Sequence, residues 1–302
     1  MVKYKRSIRN ILVVLIIIIS VILYLFTDLS VKFRNDYFNF FSVSTINNKD
    51  GLYVHFIEVG CADSIFITDK NKNILIDTGN QSLRSRSLEY LKDNCINKLD
   101  VMFLTHYDRD HIGCAVDIMK EIKVDKIIVS NGFINQRKEN NLVLSIIKTA
   151  KQRNVEIEEI SAYNNIDIGD LTFEIFSPLI EYDDPNNNSI VSRLVYGDTS
   201  FLLTGDVAQK AEEDILSSYR DIKADVLKVA HHGSATSSTK EFIDAVGAKY
   251  AVVSVGDNYY GLPSYYVIDS IEQSGAKLYR TDISGTIVIY SDGESLKFFT
   301  DK

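Results

Sequence analysis

Two histidines and two aspartates lie close together in the stretch LTHYDRDHIGC, residues 104–114. The stretch follows an apolar run that indicates a buried strand, so a loop can turn several side chains toward one point. Because alternate residues of an extended loop point the same way, His106, Asp108 and Asp110 can converge. His111 would then enter the following helix. Imidazole and carboxylate together suit Zn, Mn or Fe(II), which predicts a catalytic metal site; a solvated polar loop is the alternative.

Three further strand ends carry groups of the same chemistry. FLLTGDVAQ places Asp206 just beyond one apolar run, and LKVAHHGSATSS places His231 and His232 beyond another. Adjacent histidines point apart in an extended chain, so one can bind metal while its neighbour orients a ligand or contacts substrate. NILIDTGN ends in Asp77 and Gly79, where Asp77 can brace the metal loop through backbone hydrogen bonds. Taken alone, each strand end has a simple turn or a packed structural side chain as its alternative.

The chain from Gly51 predicts the elements that must position these residues. Strands are predicted at LYVHFIEV, SIFIT, NILID, LDVMFLT, DKIIVS, VEIEEI, LTFEIFS, SIVSRLVY, TSFLLT, ADVLKVA, KYAVVSV, AKLYRT and GTIVIYS. Helices are predicted at 82–95, 112–121, near 140–153, and near 207–218, 239–246 and 265–273. Two groups of strands, each wrapped by helices, predict a four-layer α/β sandwich. Strand carboxyl ends gather at one edge of such a fold, which would bring the polar groups together.

The composition is that of an ordinary globular protein, with 45% hydrophobic and 25% charged residues. A net charge of -8 at pH 7 disfavours a broad basic surface, so any contact with nucleic acid would have to be local. This charge does not exclude a nuclease, because metal ions supply positive charge where phosphates bind. Cys61, Cys95 and Cys114 are odd in number and lack CxxC spacing, which disfavours a disulfide framework and a thiolate zinc site.

The amino terminus, MVKYKRSIRN ILVVLIIIIS VILYLF, predicts an uncleaved signal anchor. No pair of small residues suited to cleavage follows the apolar run, and the cations that precede it place the amino terminus in the cytoplasm. We therefore predict a cytoplasmic tail (1–10), a transmembrane segment (11–27), a juxtamembrane linker (28–50) and one catalytic domain (51–302). The chain would be a single-pass protein of the cell membrane with an extracytoplasmic catalytic domain. A buried core helix of a soluble protein is the alternative for the apolar run.

Together, the motifs FIEVGCADSIFI, ILIDTGN, HYDRDHIG, LLTGD and LKVAHHGSATSS resemble the metallo-β-lactamase fold. They are most similar to the branch typified by the extracellular domain of the competence protein ComEC, in which an Asp replaces the second His of HxHxDH. The resemblance covers about residues 52–290, in the right order and spacing. It implies an αββα sandwich with a metal site on one edge, holding one or two divalent transition-metal ions, Zn or Mn.

The resemblance also implies roles for individual residues. The implied metal ligands are His106 and Asp108 for one ion, Asp110 and His111 for a second, and Asp206 between them, with His231 or His232 as a further ligand or substrate contact. Asp110 could also take up the proton, and His232 could protonate the leaving group. Ser234, Thr236 and Ser237 could bind phosphate, and Asn188 lies in the NNNS stretch where other members place a metal-binding histidine. Asp77 and Gly79 would support the site.

Two departures from the branch bear on activity. GLPS has Leu262 and Ser264 where the branch usually has histidines, so an expected ligand of the second ion is missing. VGCADS has Cys61 where the branch commonly has glutamine. Our first interpretation is a metal-dependent phosphodiesterase or nuclease, with DNA as a possible substrate. A hydrolase of a small lactam, lactone or ester, and a surface binding protein without catalysis, remain open. The sequence identifies no protein partner.

Overall fold

The computed structural model of the chain describes residues 50–81, 86–218 and 220–302. Residues 49–302 group as one compact unit. Among the described residues, no helix has both the length and the apolar character needed to cross a bilayer. The predicted tail, anchor and nearly all of the linker lie outside the described residues, so these three assignments stay predictions.

The first sheet contains eight strands. They are β1 (Leu52–Phe56), β2 (Ile65–Thr68), β3 (Asn73–Ile76), β4 (Lys98–Leu104), β5 (Lys123–Ser130), β6 (Glu156–Ile160), β14 (Ile287–Ser291) and β15 (Leu296–Thr300). Their order across the sheet is β15-β14-β1-β2-β3-β4-β5-β6. The strands from β3 to β6 run parallel, whereas the other neighbours pair antiparallel. The carboxyl ends of β3 and β4 therefore lie side by side at one edge.

The second sheet contains seven strands. They are β7 (Asn165–Ile168), β8 (Leu171–Ser177), β9 (Val191–Tyr196), β10 (Thr199–Leu203), β11 (Val226–Lys228), β12 (Tyr250–Val253) and β13 (Lys277–Arg280). Their order is β13-β12-β11-β10-β9-β8-β7. The strands from β10 to β13 run parallel, so the loops that follow β10 and β11 leave the sheet at the same edge.

Helices cover the outer faces of both sheets. They are α1 (Arg86–Asp93), α2 (Arg109–Ile112), α3 (Ala115–Glu121), α4 (Asn141–Arg153), α5 (Gln209–Ser217), α6 (Lys240–Val246), α7 (Tyr265–Ser274) and α8 (Thr281–Ser284), with short 3-10 segments at Phe133–Lys138, Pro185–Asn188 and Ala230–Gly233. The sequence delimits α4 locally: the Asn140 side chain accepts hydrogen bonds from two amides of the first turn, and Asn154 ends the helix in the left-handed conformation.

Strand alternation lets the second sheet contribute to a core on each of its faces. Phe201 and Leu203 of β10 face the first sheet, where they join the inter-sheet core, whereas Leu202 between them faces the outer helices. In the inter-sheet core, Phe103 of β4 and Phe173 of β8 pack with ring centroids 5.1 Å apart. Apolar residues alternate along the strands and recur at helical spacing on the covering helices, which yields the predicted sandwich. The two-sheet α/β fold is confirmed.

The structure differs from the prediction mainly at its edges. Two strands were not predicted: β7, in which polar residues alternate with isoleucines, and β15, a half-buried edge strand. The predicted helix at 112–121 corresponds to α3, which begins at Ala115, and a separate short helix, α2, ends at Ile112 before Gly113 and Cys114. A Cβ atom at Gly113 would lie 2.5 Å from the Arg109 carbonyl oxygen and 2.6 Å from the Gln81 nitrogen. Only glycine lets this turn approach the loop after β3 so closely.

Candidate metal centre

Four loops at the facing edges of the two sheets carry the polar residues singled out from the sequence. Asp77 follows β3, the stretch from His106 to His111 follows β4, Asp206 follows β10, and His231 with His232 follows β11. Each loop begins where a buried strand ends, so the sheets position the loops and the loops present the side chains. The arrangement places residues that are distant in the chain at one point.

The tightest group of these side chains, called the tight group below, consists of Asp110, His111, Asp206 and His232. Each offers one ligand atom, and these atoms all lie within 4.8 Å of one another. His111 Nε2 is 3.0 Å from Asp206 Oδ2, and His232 Nε2 is 3.2 Å from Asp110 Oδ2 and 3.5 Å from Asp206 Oδ2. Two imidazoles and two carboxylates at this spacing are a suitable donor set for a divalent transition metal.

His106 and Asp108 lie beside this group. The rings of His106 and His111 have centroids 4.1 Å apart, and His106 Nε2 is 3.9 Å from Asp108 Oδ2. His106 is fully buried, and its Nδ1 is 3.1 Å from the Thr105 hydroxyl and 3.3 Å from the Ser189 hydroxyl. Asp108 is partly exposed. These two residues offer a second, smaller donor set next to Asp206.

The two adjacent histidines have different environments. Both have left-handed backbone angles, with φ of 51° at His231 and 54° at His232, and their rings are inclined at 69°. His232 is buried, and its Nδ1 lies 2.9 Å from the Ser254 carbonyl oxygen, so Nδ1 carries the proton and Nε2 faces the group. His231 is partly exposed, with Nε2 3.9 Å from Asp206 Oδ2. The geometry therefore favours His232 as the histidine that completes the tight group.

Asp77 connects two of the loops. Its carboxylate accepts hydrogen bonds from the backbone nitrogen of Thr105 at 2.8 Å, the Thr105 hydroxyl at 2.7 Å and His111 Nδ1 at 2.7 Å. Thr78 donates through its backbone nitrogen and its hydroxyl to the His111 carbonyl oxygen. Gly79 has a φ of 71° and donates its amide to the Asp63 carbonyl oxygen at 2.8 Å. The turn predicted around Asp77 and Gly79 thus orients His111 through Nδ1 and the backbone, on the side away from Nε2.

Opposite charges dominate the electrostatics of the tight group. Burial acts to lower the pKa of His111, but the Asp206 and Asp77 carboxylates hold it well above the ordinary value. Burial acts to raise the pKa of Asp206, yet His111 and His232 hold it well below its usual range. Burial, reinforced by His111, lowers the pKa of His106 to about 3. His106 is therefore a neutral imidazole at pH 7, which is the form that binds metal.

A pocket of about 430 Å³ opens onto the group. It is lined by Cys61, Asn80, Arg109, Asp110, His231, His232, Ser234, Tyr260 and Leu262. Of the predicted phosphate-binding residues, Ser234 lies on the pocket wall and its hydroxyl is 2.9 Å from that of the exposed Thr236. Ser237 is buried. Burial, reinforced by Asp110, raises the pKa of Cys61 to about 11, so its thiol stays protonated at neutral pH.

Other residues that the sequence pointed to do not join the tight group. The Asn188 amide accepts from the Tyr182 nitrogen and donates to the Tyr182 and Asp184 carbonyl oxygens, so its contacts lie within its own loop. The neighbouring Ser189 contacts His106 instead. Ser264 caps α7 by accepting from the Tyr266 nitrogen, and Leu262 lines the pocket. The imidazole expected from this stretch is absent, and His232 supplies one beside Asp110.

Two residues near the group were not singled out as site residues. Asp63 lies with Asp77 and His111 in a second set of close acidic and imidazole groups, and Lys228 Nζ is 2.5 Å from Asp63 Oδ2. Both charged side chains are buried. A sequence signal existed for Lys228, because its charge interrupts the apolar run VLKVA, which predicts a buried strand. Asp63 had no such signal beyond its place in VGCADS.

The residues present fit a divalent metal ion. Among the described residues, His106 Nε2, His111 Nε2 and Asp206 Oδ1 are buried and have no hydrogen-bond partner. Buried polar atoms are normally paired, so converging imidazole and carboxylate atoms without a partner in the protein are suited to holding an ion. His106, Asp108, Asp110, His111, Asp206 and His232 are the residues that would hold one ion or two.

The chain is similar to a known protein family and to known proteins. A family model described as the Metallo-beta-lactamase superfamily matches residues 59–257. The chain is 34% identical to ComE operon protein 3 of Bacillus subtilis over 256 residues, which cover 78% of this chain and 32% of that protein. It is 30% identical to competence protein ComA of Neisseria gonorrhoeae, over 76% of this chain and 31% of that one. The chain therefore spans about a third of the length of these relatives.

A solved structure shows the same fold. The metallo-beta-lactamase fold protein YhfI of Bacillus subtilis superposes with a TM-score of 0.55 at 14% identity, covering 80% of this chain and 100% of that one. This likeness concerns the fold alone, because the identity is low.

Proposed function

The chain belongs to the metallo-beta-lactamase superfamily, and from this premise we propose that it is a metal-dependent phosphodiesterase, with DNA as its substrate. The observation that carries the proposal is the convergence of Asp110, His111, Asp206 and His232 within 4.8 Å beside an open pocket. A buried set of imidazoles and carboxylates with unpaired ligand atoms suits catalysis at a metal better than it suits stability.

A bound divalent ion would supply Lewis-acid stabilisation of negative charge and a more acidic water. The protein's own residues would do the rest. Asp77 fixes the tautomer of His111, and the Ser254 carbonyl fixes that of His232, so both Nε2 atoms face the reacting centre. His231 reaches the same pocket from a more exposed position, where it can donate a proton to a departing oxygen.

The pocket wall supports a phosphate-containing substrate. Arg109 extends at the pocket and forms no ion pair within the described part of the chain, so its guanidinium is available to a phosphate oxygen. Ser234 provides a hydroxyl on the same wall. DNA is the phosphodiester that we propose because the relatives include a protein named for competence. The net charge of -8 makes this a local contact at the pocket.

We further propose that residues 11–27 anchor the chain in the cell membrane and that the catalytic domain is extracytoplasmic. The support is the apolar run and the cations before it, which follow the positive-inside bias. Fusing a reporter that is active only outside the cytoplasm after Lys302 tests this topology. Reporter activity is expected, and activity of a cytoplasm-specific reporter at the same point would contradict it.

The experiment that tests the activity uses the full chain purified in detergent, freed of metal and then supplied with Mn or Zn. Hydrolysis of bis(p-nitrophenyl) phosphate and of linear DNA is expected only with metal, and Asp206→Asn should abolish it. Asp198→Asn is the matched control, because Asp198 is exposed on the turn between β9 and β10. DNA hydrolysis that survives chelation, or that is equal in Asp206→Asn and wild type, overturns the proposal. Turnover of a β-lactam or an aryl ester without phosphodiester turnover would do the same.

A further inference from the structure

Lys228 is a charged side chain buried beneath the candidate metal centre. It is 1% exposed, as is its partner Asp63, and Lys228 Nζ lies 2.5 Å from Asp63 Oδ2. Burial acts to lower the pKa of Lys228, but the Asp63 and Asp206 carboxylates outweigh burial and hold it above its ordinary value. The side chain is therefore a fixed ammonium ion. Because replacing such a pair by apolar residues is often neutral or stabilising, stability alone does not account for it.

The ammonium group of Lys228 connects the two loops that leave the second sheet. Besides its bond to Asp63, Nζ donates to the Gly205 carbonyl oxygen at 3.2 Å and to the Val229 carbonyl oxygen at 3.1 Å. Gly205 directly precedes Asp206, and Val229 begins the turn that carries His232. A single cation thus holds both loops by hydrogen bonds and Asp63 by an ion pair.

Asp63 connects the two loops that leave the first sheet. Its backbone nitrogen donates to the Asp110 carbonyl oxygen at 3.2 Å, and its own carbonyl oxygen accepts from the Gly79 nitrogen at 2.8 Å. Its carboxylate atoms are 3.7 Å from His232 Nδ1 and 3.9 Å from His111 Nδ1, which is too far for hydrogen bonds. Asp63 therefore fixes backbone positions behind both imidazoles.

We propose that Asp63 and Lys228 form a positioning pair that sets the spacing of the four loops of the site, three of which carry its ligands. This inference rests on the proposed metal centre and extends it to two residues that touch neither the tight group's ligand atoms nor the pocket wall. Asp63, Asp77 and His111 form a second set of potential ligands, but the Lys228 ammonium already neutralises Asp63. That set is accordingly part of the support of the site and is no second metal site.

The test measures Mn²⁺ affinity by calorimetry and the hydrogen exchange of the metal-free full chain in detergent. Lys228→Met should weaken Mn²⁺ binding by about 10-fold to 100-fold, the usual effect of losing an outer partner of metal ligands. Peptides covering 105–113, 203–208 and 228–234 should exchange faster without metal. Arg193→Met is the matched control, because Arg193 also joins a carboxylate, Glu174, to two backbone carbonyls, those of Asp221 and Lys223.

A double variant, Asp63→Asn with Lys228→Met, separates positioning from stability. It removes both buried charges, so it should regain much of the stability that Lys228→Met loses, while Mn²⁺ binding stays weak. The double variant also tests the inference if Lys228→Met alone does not fold. Mn²⁺ affinity within twofold of wild type in the double variant, with unchanged exchange of the three peptides, overturns the inference. If the wild type itself binds neither Mn²⁺ nor Zn²⁺, the proposed function fails, and hydrogen exchange still tests the pair in the metal-free protein.

Discussion

His111 Nδ1 lies 2.7 Å from Oδ2 of Asp77, and both side chains are buried. A carboxylate can only accept, so Nδ1 carries a proton, and Nε2 faces Asp206 at 3.0 Å. Asp77 thereby converts an otherwise ambiguous imidazole into an oriented ligand. It does so from the end of β3, a strand that contributes no ligand of its own to the tight group.

Asp77→Asn should weaken metal binding while leaving the protein folded. An amide at this position cannot accept from Thr105 and His111 as a carboxylate does, so the orientation of His111 is lost. We expect Mn²⁺ affinity to fall by about 10-fold to 100-fold, measured by calorimetry. Asp225→Asn is the control, because Asp225 also accepts from a backbone nitrogen and a hydroxyl, both of Ser200. Equal affinities in the two variants would contradict the role of Asp77.

His232→Ala and His231→Ala should impair different properties, metal binding in the first and turnover in the second. His232 is buried with Nε2 close to Asp110 and Asp206, whereas His231 is partly exposed at the pocket. His232→Ala should lose bound metal, as measured by elemental analysis after desalting. His231→Ala should keep its metal and lose turnover, by about 100-fold or more if it acts as a general acid. Loss of metal in His231→Ala alone would reverse these two assignments.

Metal should raise the stability of the folded protein. An ion that binds only the folded state at 100 times its Kd adds about 2.7 kcal/mol to the free energy of unfolding. Thermal unfolding with Mn²⁺ and with chelator is therefore expected to differ by several degrees. The double variant Asp110→Asn with Asp206→Asn should show no difference between the two conditions. A shift that persists in this variant would mean that the ion binds elsewhere.

Phe173→Ala should be strongly destabilising without altering the chemistry of the site. Phe173 is fully buried between the sheets, where it packs on Phe103. Truncating a buried phenylalanine costs about 3–5 kcal/mol. Tyr259→Ala is the contrast, since that side chain is fully exposed and its loss should change the free energy of unfolding by less than about 0.5 kcal/mol. Urea unfolding of both variants checks the difference, and similar losses would argue against the inter-sheet core.

His55 should make the protein less stable as pH falls. Burial lowers the pKa of His55 to about 3 from the ordinary value of 6.5, so between these values the unfolded chain binds a proton that the folded chain does not. Above pH 6.5 His55 does not reduce the free energy of unfolding. From pH 6.5 down toward pH 3 it reduces that free energy by about 1.4 kcal/mol per pH unit.

His55→Gln tests this linkage, because glutamine can still bond to the Tyr90 hydroxyl, which lies 2.7 Å from His55 Nδ1. Urea unfolding at pH 7, 6, 5 and 4 should give a shallower pH dependence for the variant than for the wild type. His106 titrates in the same direction but is present in both proteins, so it cancels in the comparison. Parallel pH curves would show that His55 does not carry the effect.

Much of the fold was predictable because its signals are local. Leu171–Ser177 matches a predicted strand at both ends, and its residues from Leu171 to Ile175 alternate between buried and half-buried. The resemblance to the metallo-β-lactamase fold is confirmed by the family match, and the relatives are consistent with the competence branch. β7 and β15 escaped prediction because Asn165–Ile168 has little apolar character and Leu296–Thr300 lies at a sheet edge.

The sequence by itself determined which groups could bind metal and that each follows a buried strand, because residue type and hydrophobic pattern are properties of short segments. Only the tertiary structure decided that His232 rather than Asn188 stands with Asp110 and Asp206, and that Lys228 joins Asp63 behind them. These choices depend on backbone angles at His231 and His232 and on the meeting of loops from two sheets. Such distances are set by packing across the whole domain, which no short segment encodes.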